Sequence, residues 1–230
     1  RQYEGLTVWV NALIESAGGQ IVNDEGDVVV DDTARTAAEI IRKLARSPAA
    51  PPGLATNAED DARLGFESGR SNYQLNYTFI YPSAAEVGED FQANIGWARY
   101  PRSVPGEPSR PPLGGINIGV GAYSEKPDLA FDAAECLTSE ANQLIAAEKG
   151  GLAPSSAAVY DEPALREAFP FADLLRESIE AGGPRPVTPA YADISLAIQK
   201  TYHPPDDVDP ATVVQELTDR IDRAVEGGIF

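Results

Sequence analysis

Apolar residues near the start of the chain recur at intervals of three and four, the period of one face of an α-helix. The run YEGLTVWVNALIE carries Leu6, Val10 and Leu13 on such a face. The Gly18-Gly19 pair that follows is typical of a helix end, because glycine adopts the left-handed backbone without strain. The pattern therefore predicts an amphipathic first helix that covers a core.

The same period recurs along the chain, each time with a capping residue at the start of the stripe or a glycine or proline at its end. The helix that starts at Pro127 carries Leu129, Phe131 and Cys136 on or near its apolar side, so we interpret Cys136 as a small buried side chain. Further helices are predicted from Asp32, from an Asn57 cap, from a Thr138 or Ser139 cap to Gly150-Gly151, over Leu165–Phe169 and Phe171–Ile179, from Tyr191, and from an Asp209 cap with Pro210 at the first position.

Shorter stretches between these helices predict strands. QIVNDEGDVVVDD has apolar runs on either side of a turn-rich centre, as in a small hairpin. SNYQLNYTFIYPSA alternates in character and predicts a strand that delivers Tyr77 and Tyr81 to its end, and LGGINIGVGAYS predicts a glycine-bearing strand. Residues 95–97 predict one more. Along the chain, the predicted helices thus alternate with short predicted strands.

Composition narrows the classes of partner and chemistry. The 230 residues are 43% apolar, enough for one large core or two modest ones, and the net charge is −18. That charge repels phosphate backbones and anionic lipid, so nucleic acid is not an expected partner. A single Cys136 and a single His203 leave no internal disulfide, no thiolate zinc site and little material for a catalytic triad.

The sequence contains no methionine, no signal peptide and no apolar run long enough to span a membrane. Either this chain is the later part of a longer polypeptide, or its methionines are modified residues missing from the printed sequence. Both interpretations stay open.

The segment AGGPRPVTPAY places Arg185 between two prolines, whose rings fix the backbone around it. Such a guanidinium loses little freedom when it binds a ligand, but it could equally satisfy helix carbonyls or an internal carboxylate. Tyr77, Tyr81 and Tyr191 lie at element ends, where a half-buried tyrosine with its hydroxyl in water is the ordinary outcome. The many carboxylates do not by themselves indicate a glycosidase pair.

The order of several motifs resembles the second part of a family 1 extracellular solute-binding protein, the sugar receptors of bacterial ABC importers. The motifs are the GG-ended first helix, LNYTFIYPSA, LGGINIGVGAYSEKPDLAFDAAECL, LTSEANQ, GGLAPSS and GGPRPVTPAY. Within the family, the run is most similar to the mycobacterial lipoproteins that bind trehalose. The resemblance implies a two-lobed α/β fold of the type II periplasmic-binding-protein kind, of which this chain is the C-terminal portion. It assigns residues 1–112 and 161–230 to the C-terminal lobe and residues 113–160 to a return segment into the N-terminal lobe.

The resemblance also implies site residues. Arg185 matches the arginine that donates hydrogen bonds to sugar hydroxyls, and Tyr77 falls where relatives carry a stacking tryptophan. Gly114, Gly115 and Ile116 fall where relatives read GGW, so an aliphatic side chain replaces one aromatic. Trp9 and Glu4, at the start of the first helix, are weaker correspondences.

The function implied by the resemblance is capture of a disaccharide, with trehalose favoured, and delivery to permease subunits, with no enzymatic step and no cofactor. It implies an extracytoplasmic location, with membrane attachment only through a lipid anchor that this chain lacks. Maltodextrins or glycerophosphodiesters remain alternative cargoes. A glycoside-processing enzyme and an assembly module are the alternatives of other classes.

Overall fold

The computed structural model describes residues 1–227, which are mainly helical. The α-helices are α1 (Glu4–Glu15), α2 (Asp32–Ala45), α3 (Glu59–Glu67), α4 (Ile80–Ala84), α5 (Glu89–Ala93), α6 (Pro127–Thr138), α7 (Glu140–Gly150), α8 (Pro163–Ala168), α9 (Ala172–Glu180), α10 (Tyr191–Tyr202) and α11 (Val213–Val225). A 3₁₀ helix spans Ala157–Asp161. None of these helices combines the length and the apolarity needed to cross a membrane.

The helix ends follow local chemistry. The Asp31 side chain accepts a hydrogen bond from the Thr33 amide and caps α2, and Ser139 caps α7 by accepting one from Asn142. Helix α7 ends at Gly151, whose φ of 67° lies in the left-handed region. These predicted boundaries are confirmed.

The last helix begins later than the Asp209 cap predicts. Helix α11 starts at Val213, with Thr212 at its N-cap position. The Asp209 carboxylate instead accepts a hydrogen bond from the Ala211 amide at 3.2 Å. The backbone carbonyl of Asp209 accepts one from the Val213 amide at 3.0 Å. The aspartate thus caps a turn that precedes the helix.

The predicted strands are wrong for the described residues, where β pairing is limited to two isolated bridges, Val22 with Val28 and Pro112 with Gly183. The predicted hairpin is reduced to the first of these bridges and a turn closed by the Asn23 and Asp27 backbones. Pro82 lies inside helix α4 rather than after a strand. A strand needs a neighbour for its backbone hydrogen bonds, and sequence alternation does not supply one.

The chain divides into two compact units, and it crosses between them four times. Unit 1 comprises residues 1–64, 100–113 and 181 onward, and unit 2 comprises residues 65–99 and 114–180. The core of unit 1 is formed where α1, α2, α10 and α11 pack together. Its largest fully buried side chain is Tyr202, whose hydroxyl donates to the Ala34 carbonyl at 2.8 Å and so joins α10 to α2.

Unit 2 has a smaller core. Leu165, Phe169 and Tyr160 are buried there with parts of α7 and α9. An aromatic group adjoins this core, in which Tyr81 packs edge-on against Phe171 at 5.2 Å and against Trp97 at 6.1 Å between ring centroids. Tyr81 is therefore a packing residue.

These units group the chain differently from the three segments expected from the resemblance. Residues 65–99 and 161–180 pack in unit 2, with the segment that begins at Gly114, because the aromatic group and the Leu165 core join them. The assignment of segments to N- and C-terminal lobes stays a prediction.

Helix α6 corrects one further expectation. Cys136 is exposed rather than buried, and Leu129 and Phe131 are each 63% exposed. No residue of α6 is buried within the described chain. The periodicity predicted the helix but not a partner for its apolar side.

Candidate functional site

The arginine loop is held at its base by backbone pairing with residues 111–113. The Gly183 amide donates to the Pro111 carbonyl at 3.0 Å, and the Leu113 amide donates to the Gly183 carbonyl at 3.1 Å. A Cβ on Gly182 would overlap the Leu113 side chain and lie 3.1 Å from the Pro111 carbonyl oxygen. Glycine therefore permits the close approach that fixes the loop.

The next residues of the loop are fixed from helix α1. The Asn11 side-chain amide donates to the Pro184 carbonyl at 3.2 Å, and Asn11 itself is buried. Proline rings on both sides restrict the backbone of Arg185. The guanidinium is thus carried on a short and stiff segment.

Arg185 and Glu4, predicted separately, lie together. Arg185 Nη1 is 3.4 Å from Glu4 Oε1, and the two side chains are 29% and 46% exposed, respectively. Both groups keep part of their surface accessible. Arg185 therefore pairs with an internal carboxylate, one of the two interpretations left open by its sequence context, and its role in ligand binding stays a prediction.

Glu4 is the centre of a hydrogen-bond network. It is the first residue of α1, and its carboxylate accepts from the hydroxyl of Tyr191 and, at 2.5 Å, from Ser195 Oγ. Ser195 Oγ is in turn 2.8 Å from Thr7 Oγ1 and accepts from Gln199 Nε2 at 3.0 Å. Since Ser195 and Thr7 are buried, the network anchors the carboxylate to the packed face between α1 and α10.

Tyr191 joins the arginine to this network. The Arg185 guanidinium carbon lies 5.9 Å from the centre of the Tyr191 ring, within the range of a cation–π contact. Burial raises the pKa of the Tyr191 hydroxyl, and the Glu4 carboxylate that it contacts raises it further. The phenol therefore stays a proton donor to Glu4 across the physiological range.

The other predicted residues are Trp9 in unit 1 and Tyr77, Gly114, Gly115 and Ile116 in unit 2. Trp9 is partly buried and packs against the unit 1 core. Tyr77 belongs to unit 2, precedes α4 and is 45% exposed. Ile116 is 79% exposed, and a Cβ on Gly114 or Gly115 would meet no atom of the described part of the chain within 4 Å. Their roles in ligand binding stay predictions.

Sequence reasoning missed Thr7 and Ser195 of this network and also Asn11, which holds the arginine loop. Thr7, Asn11 and Ser195 lie on helix faces that read as core. The signal that could have found them is polar residues at consecutive helical turns, as in Glu4, Thr7 and Asn11, because a polar row inside an apolar stripe requires internal partners. Among the residues that the structure describes, none form a group of three or more potential metal ligands.

Similarity to known proteins identifies the family of this chain. Residues 3–170 match the bacterial extracellular solute-binding proteins, and the chain belongs to this family. It is also similar to a probable ABC transporter-binding protein of Deinococcus radiodurans, with 30% identity over 193 residues, 82% of this chain and 45% of the relative. The chain thus spans about half the length of this curated relative.

Solved structures establish the fold. The chain is similar to maltose-bound MalE3 of T. maritima, with a TM-score of 0.80 and 27% identity over 98% of this chain and 57% of that one. A maltose/maltodextrin-binding domain of Bdellovibrio bacteriovorus, bound to maltotriose, matches with a TM-score of 0.74 and 19% identity over 95% and 57% of the two chains, respectively. The predicted class, a periplasmic-binding-protein-like α/β fold of which this chain forms part, is confirmed.

Proposed function

We propose that this chain belongs to the substrate receptor of a bacterial ABC importer and contributes one side of a site for a neutral sugar. The observation that carries the proposal is the Arg185–Glu4 pair, partly exposed and fixed on a network that reaches the buried face of α1 and α10. Membership of the solute-binding family supports the same function.

The chemistry of the pair suits a polyol. Sugar hydroxyls both donate and accept, and the pair offers the fork of Arg185 as donor and the carboxylate of Glu4 as acceptor. Because the prolines and Asn11 already hold the loop, little conformational entropy is lost when the sugar binds. We further propose Tyr77 as a stacking face for the sugar ring, with Gly114, Gly115, Ile116 and Trp9 as other ligand contacts.

The function proposed is capture, without an enzymatic step. Binding selects a closed form of the complete receptor, and that form is recognised by the permease subunits. We place the receptor on the outer side of the plasma membrane, held there by a lipid anchor.

Trehalose is the cargo that we favour, because the order of motifs is most similar to trehalose-binding members of the family. Maltose or a maltodextrin is the second candidate, since two solved structures similar to this chain are described with maltose and maltotriose. Both cargoes are neutral and made of glucose units.

The test is calorimetric titration of the full-length protein with trehalose, maltose, maltotriose and glucose. Saturable binding near the micromolar range, about −8 kcal/mol, is expected for one disaccharide. Arg185→Ala should weaken that binding by about 1–3 kcal/mol, because buried hydrogen bonds to a charged group are lost.

The control for this experiment is Arg35→Ala, which removes an arginine of unit 1 that pairs with Asp32 at 2.9 Å. It should leave sugar affinity unchanged. Equal affinity in wild type and Arg185→Ala would contradict the assignment of Arg185, and turnover of the sugar during titration would contradict a pure receptor.

A further inference from the structure

Several features around Glu4 favour negative charge. Glu4 is the first residue of α1 and Tyr191 is the first residue of α10, so two helix N-termini, each with a partial positive charge, meet here. The Tyr191 and Ser195 hydroxyls donate into the same place, and Arg185 adds a full positive charge. If the Glu4 side chain is left out, the remaining groups are hydroxyl donors, helix N-termini and a guanidinium. Groups of these kinds bind phosphate or carboxylate ligands in proteins.

Glu4 occupies that position with a carboxylate of the chain itself. One of its oxygens accepts from Tyr191 and lies 3.4 Å from Arg185, and the other accepts from Ser195 at 2.5 Å. The anchoring hydroxyl of Ser195 is buried and is held by Thr7 and Gln199. The negative charge is therefore built into the fold.

We infer that Glu4 sets the charge selectivity of this receptor, admitting neutral polyols and excluding anionic ones. The inference rests on the proposed function, because it concerns the cargo of the same site. A neutral sugar can use the open donors of Arg185 and the free lone pairs of Glu4 together. A phosphate or carboxylate that approaches Arg185 meets the fixed carboxylate at close range, and like charges in a partly buried site repel strongly.

This selectivity bears on the cargo. Glycerophosphodiesters and sugar phosphates carry a negative charge, whereas trehalose and maltodextrins do not. Glu4 thus separates the charged candidate cargoes from the neutral ones by the charge of the ligand alone. The net charge of −18 adds a general repulsion of anions, but salt screens that long-range effect.

The experiment measures the ratio of affinities for an anionic and a neutral form of the same sugar. The full-length protein and its Glu4→Gln variant are titrated with trehalose and trehalose 6-phosphate, and with maltose and maltose 6′-phosphate. Wild type should bind a neutral disaccharide and discriminate against its phosphate. Glu4→Gln should raise the ratio of phosphate to neutral affinity by about tenfold or more, because the amide keeps the shape and removes the charge.

Two variants separate charge from structure. Tyr191→Phe removes a donor to Glu4 but keeps the carboxylate, so it should weaken both ligands alike and leave the ratio unchanged. Glu25→Gln, at an exposed turn of unit 1, makes the same change of net charge away from the network and should also leave the ratio unchanged.

The outcomes distinguish this inference from the proposed function. A wild type that binds neutral sugar, with a Glu4→Gln ratio within about threefold of it, overturns the selectivity role and leaves the receptor proposal standing. A ratio that rises equally in Glu25→Gln also overturns it, since overall charge would then be the cause. A wild type that binds the anionic ligands in preference overturns the inference directly. A wild type that binds none of these sugars overturns both.

Discussion

Units 1 and 2 differ in how completely they bury their apolar side chains. The stripes of α1, α2, α10 and α11 in unit 1 face one another, and exposed large apolar residues are few there. In unit 2 the exposed set is longer and includes Leu129, Phe131 and Leu137 of α6, Ile145 of α7, and Ile116, Ile118 and Tyr123 before them. The core of unit 2 is also smaller.

This difference separates two kinds of information in a hydrophobic pattern. A helical period states that a helix has an apolar face, and it states nothing about what covers that face. In unit 1 the covering helices are part of the described chain, so periodicity and burial agree. On α6 they disagree, although the helix itself is formed as predicted.

The largest expected effect comes from the small core of unit 2. Phe169→Ala removes a ring that is 1% exposed and should cost about 3–5 kcal/mol of unfolding free energy through lost transfer energy and the cavity left behind. The chain has two tryptophans, Trp9 in unit 1 and Trp97 in unit 2. Urea unfolding followed by fluorescence in single-tryptophan backgrounds therefore reports each unit separately.

The expected result is a lower midpoint for the Trp97 signal and an unchanged midpoint for Trp9. Ile198→Ala, at a fully buried site of unit 1, is the reciprocal control and should move the Trp9 signal instead. Equal shifts of both signals would show that the two units unfold as one. The difference between the units would then be a difference in packing and not in stability.

Gly151 gives the next largest effect. Its φ is 67°, and a Cβ there would lie 2.8 Å from the Phe79 backbone, so Gly151→Ala combines an unfavourable conformation with a backbone clash. We expect a loss of about 2 kcal/mol or more. Gly106→Ala is the control, because Gly106 also has a positive φ, of 94°, but no atom of the described residues lies within 4 Å of its Cβ position. It should cost about 1 kcal/mol, and thermal unfolding of both variants checks the difference. Equal losses would assign the whole effect to the backbone angle.

A partly buried carboxyl group makes unit 1 sensitive to pH. Burial raises the pKa of Glu15 from about 4.5 to about 7, with smaller opposing effects from Asn11 and Arg110. One oxygen of this carboxyl group is buried and has no hydrogen-bond partner among residues 1–227. Between these two pKa values the folded state holds more protons than the unfolded state, so the stability contribution present below pH 4.5 is lost as the pH rises through 7.

Glu15→Gln should remove this dependence. From pH 5 to pH 8, wild type is expected to lose about 1 kcal/mol more than the variant, a value reduced for the partial exposure of the group. Urea unfolding at both pH values measures it. An exposed glutamate of the same unit, changed in Glu39→Gln, should keep the wild-type slope. If the unfolding free energies of wild type and Glu15→Gln changed equally between pH 5 and pH 8, the Glu15 carboxyl group would be solvated.

The smallest effect is expected on α6. Phe131 is 63% exposed in the described chain, so Phe131→Ala should change the unfolding free energy of this 230-residue chain by less than about 0.5 kcal/mol. The same substitution in the full-length protein sharpens the comparison. A loss there near that of Phe169→Ala would show that this side of α6 is covered by residues outside the present sequence.

Much of the helical fold could be predicted from the sequence because its signals are local. The Asp31 cap, the Ser139 cap and the glycine at position 151 all act within a few residues. The site was predictable only in part. Arg185 and Glu4 were recognised by resemblance, whereas their ion pair depends on the packing of α1 against α10, which brings together residues separated by about 180 positions.

The four crossings of the chain between the units restrict how such a molecule can be taken apart or recombined. A protease that cuts the chain at one crossing leaves unit 1 and unit 2 covalently connected through the other three crossings. Neither unit corresponds to a single uninterrupted stretch of its gene. A recombination event that exchanges one contiguous segment therefore cannot replace the whole of one unit without also replacing part of the other.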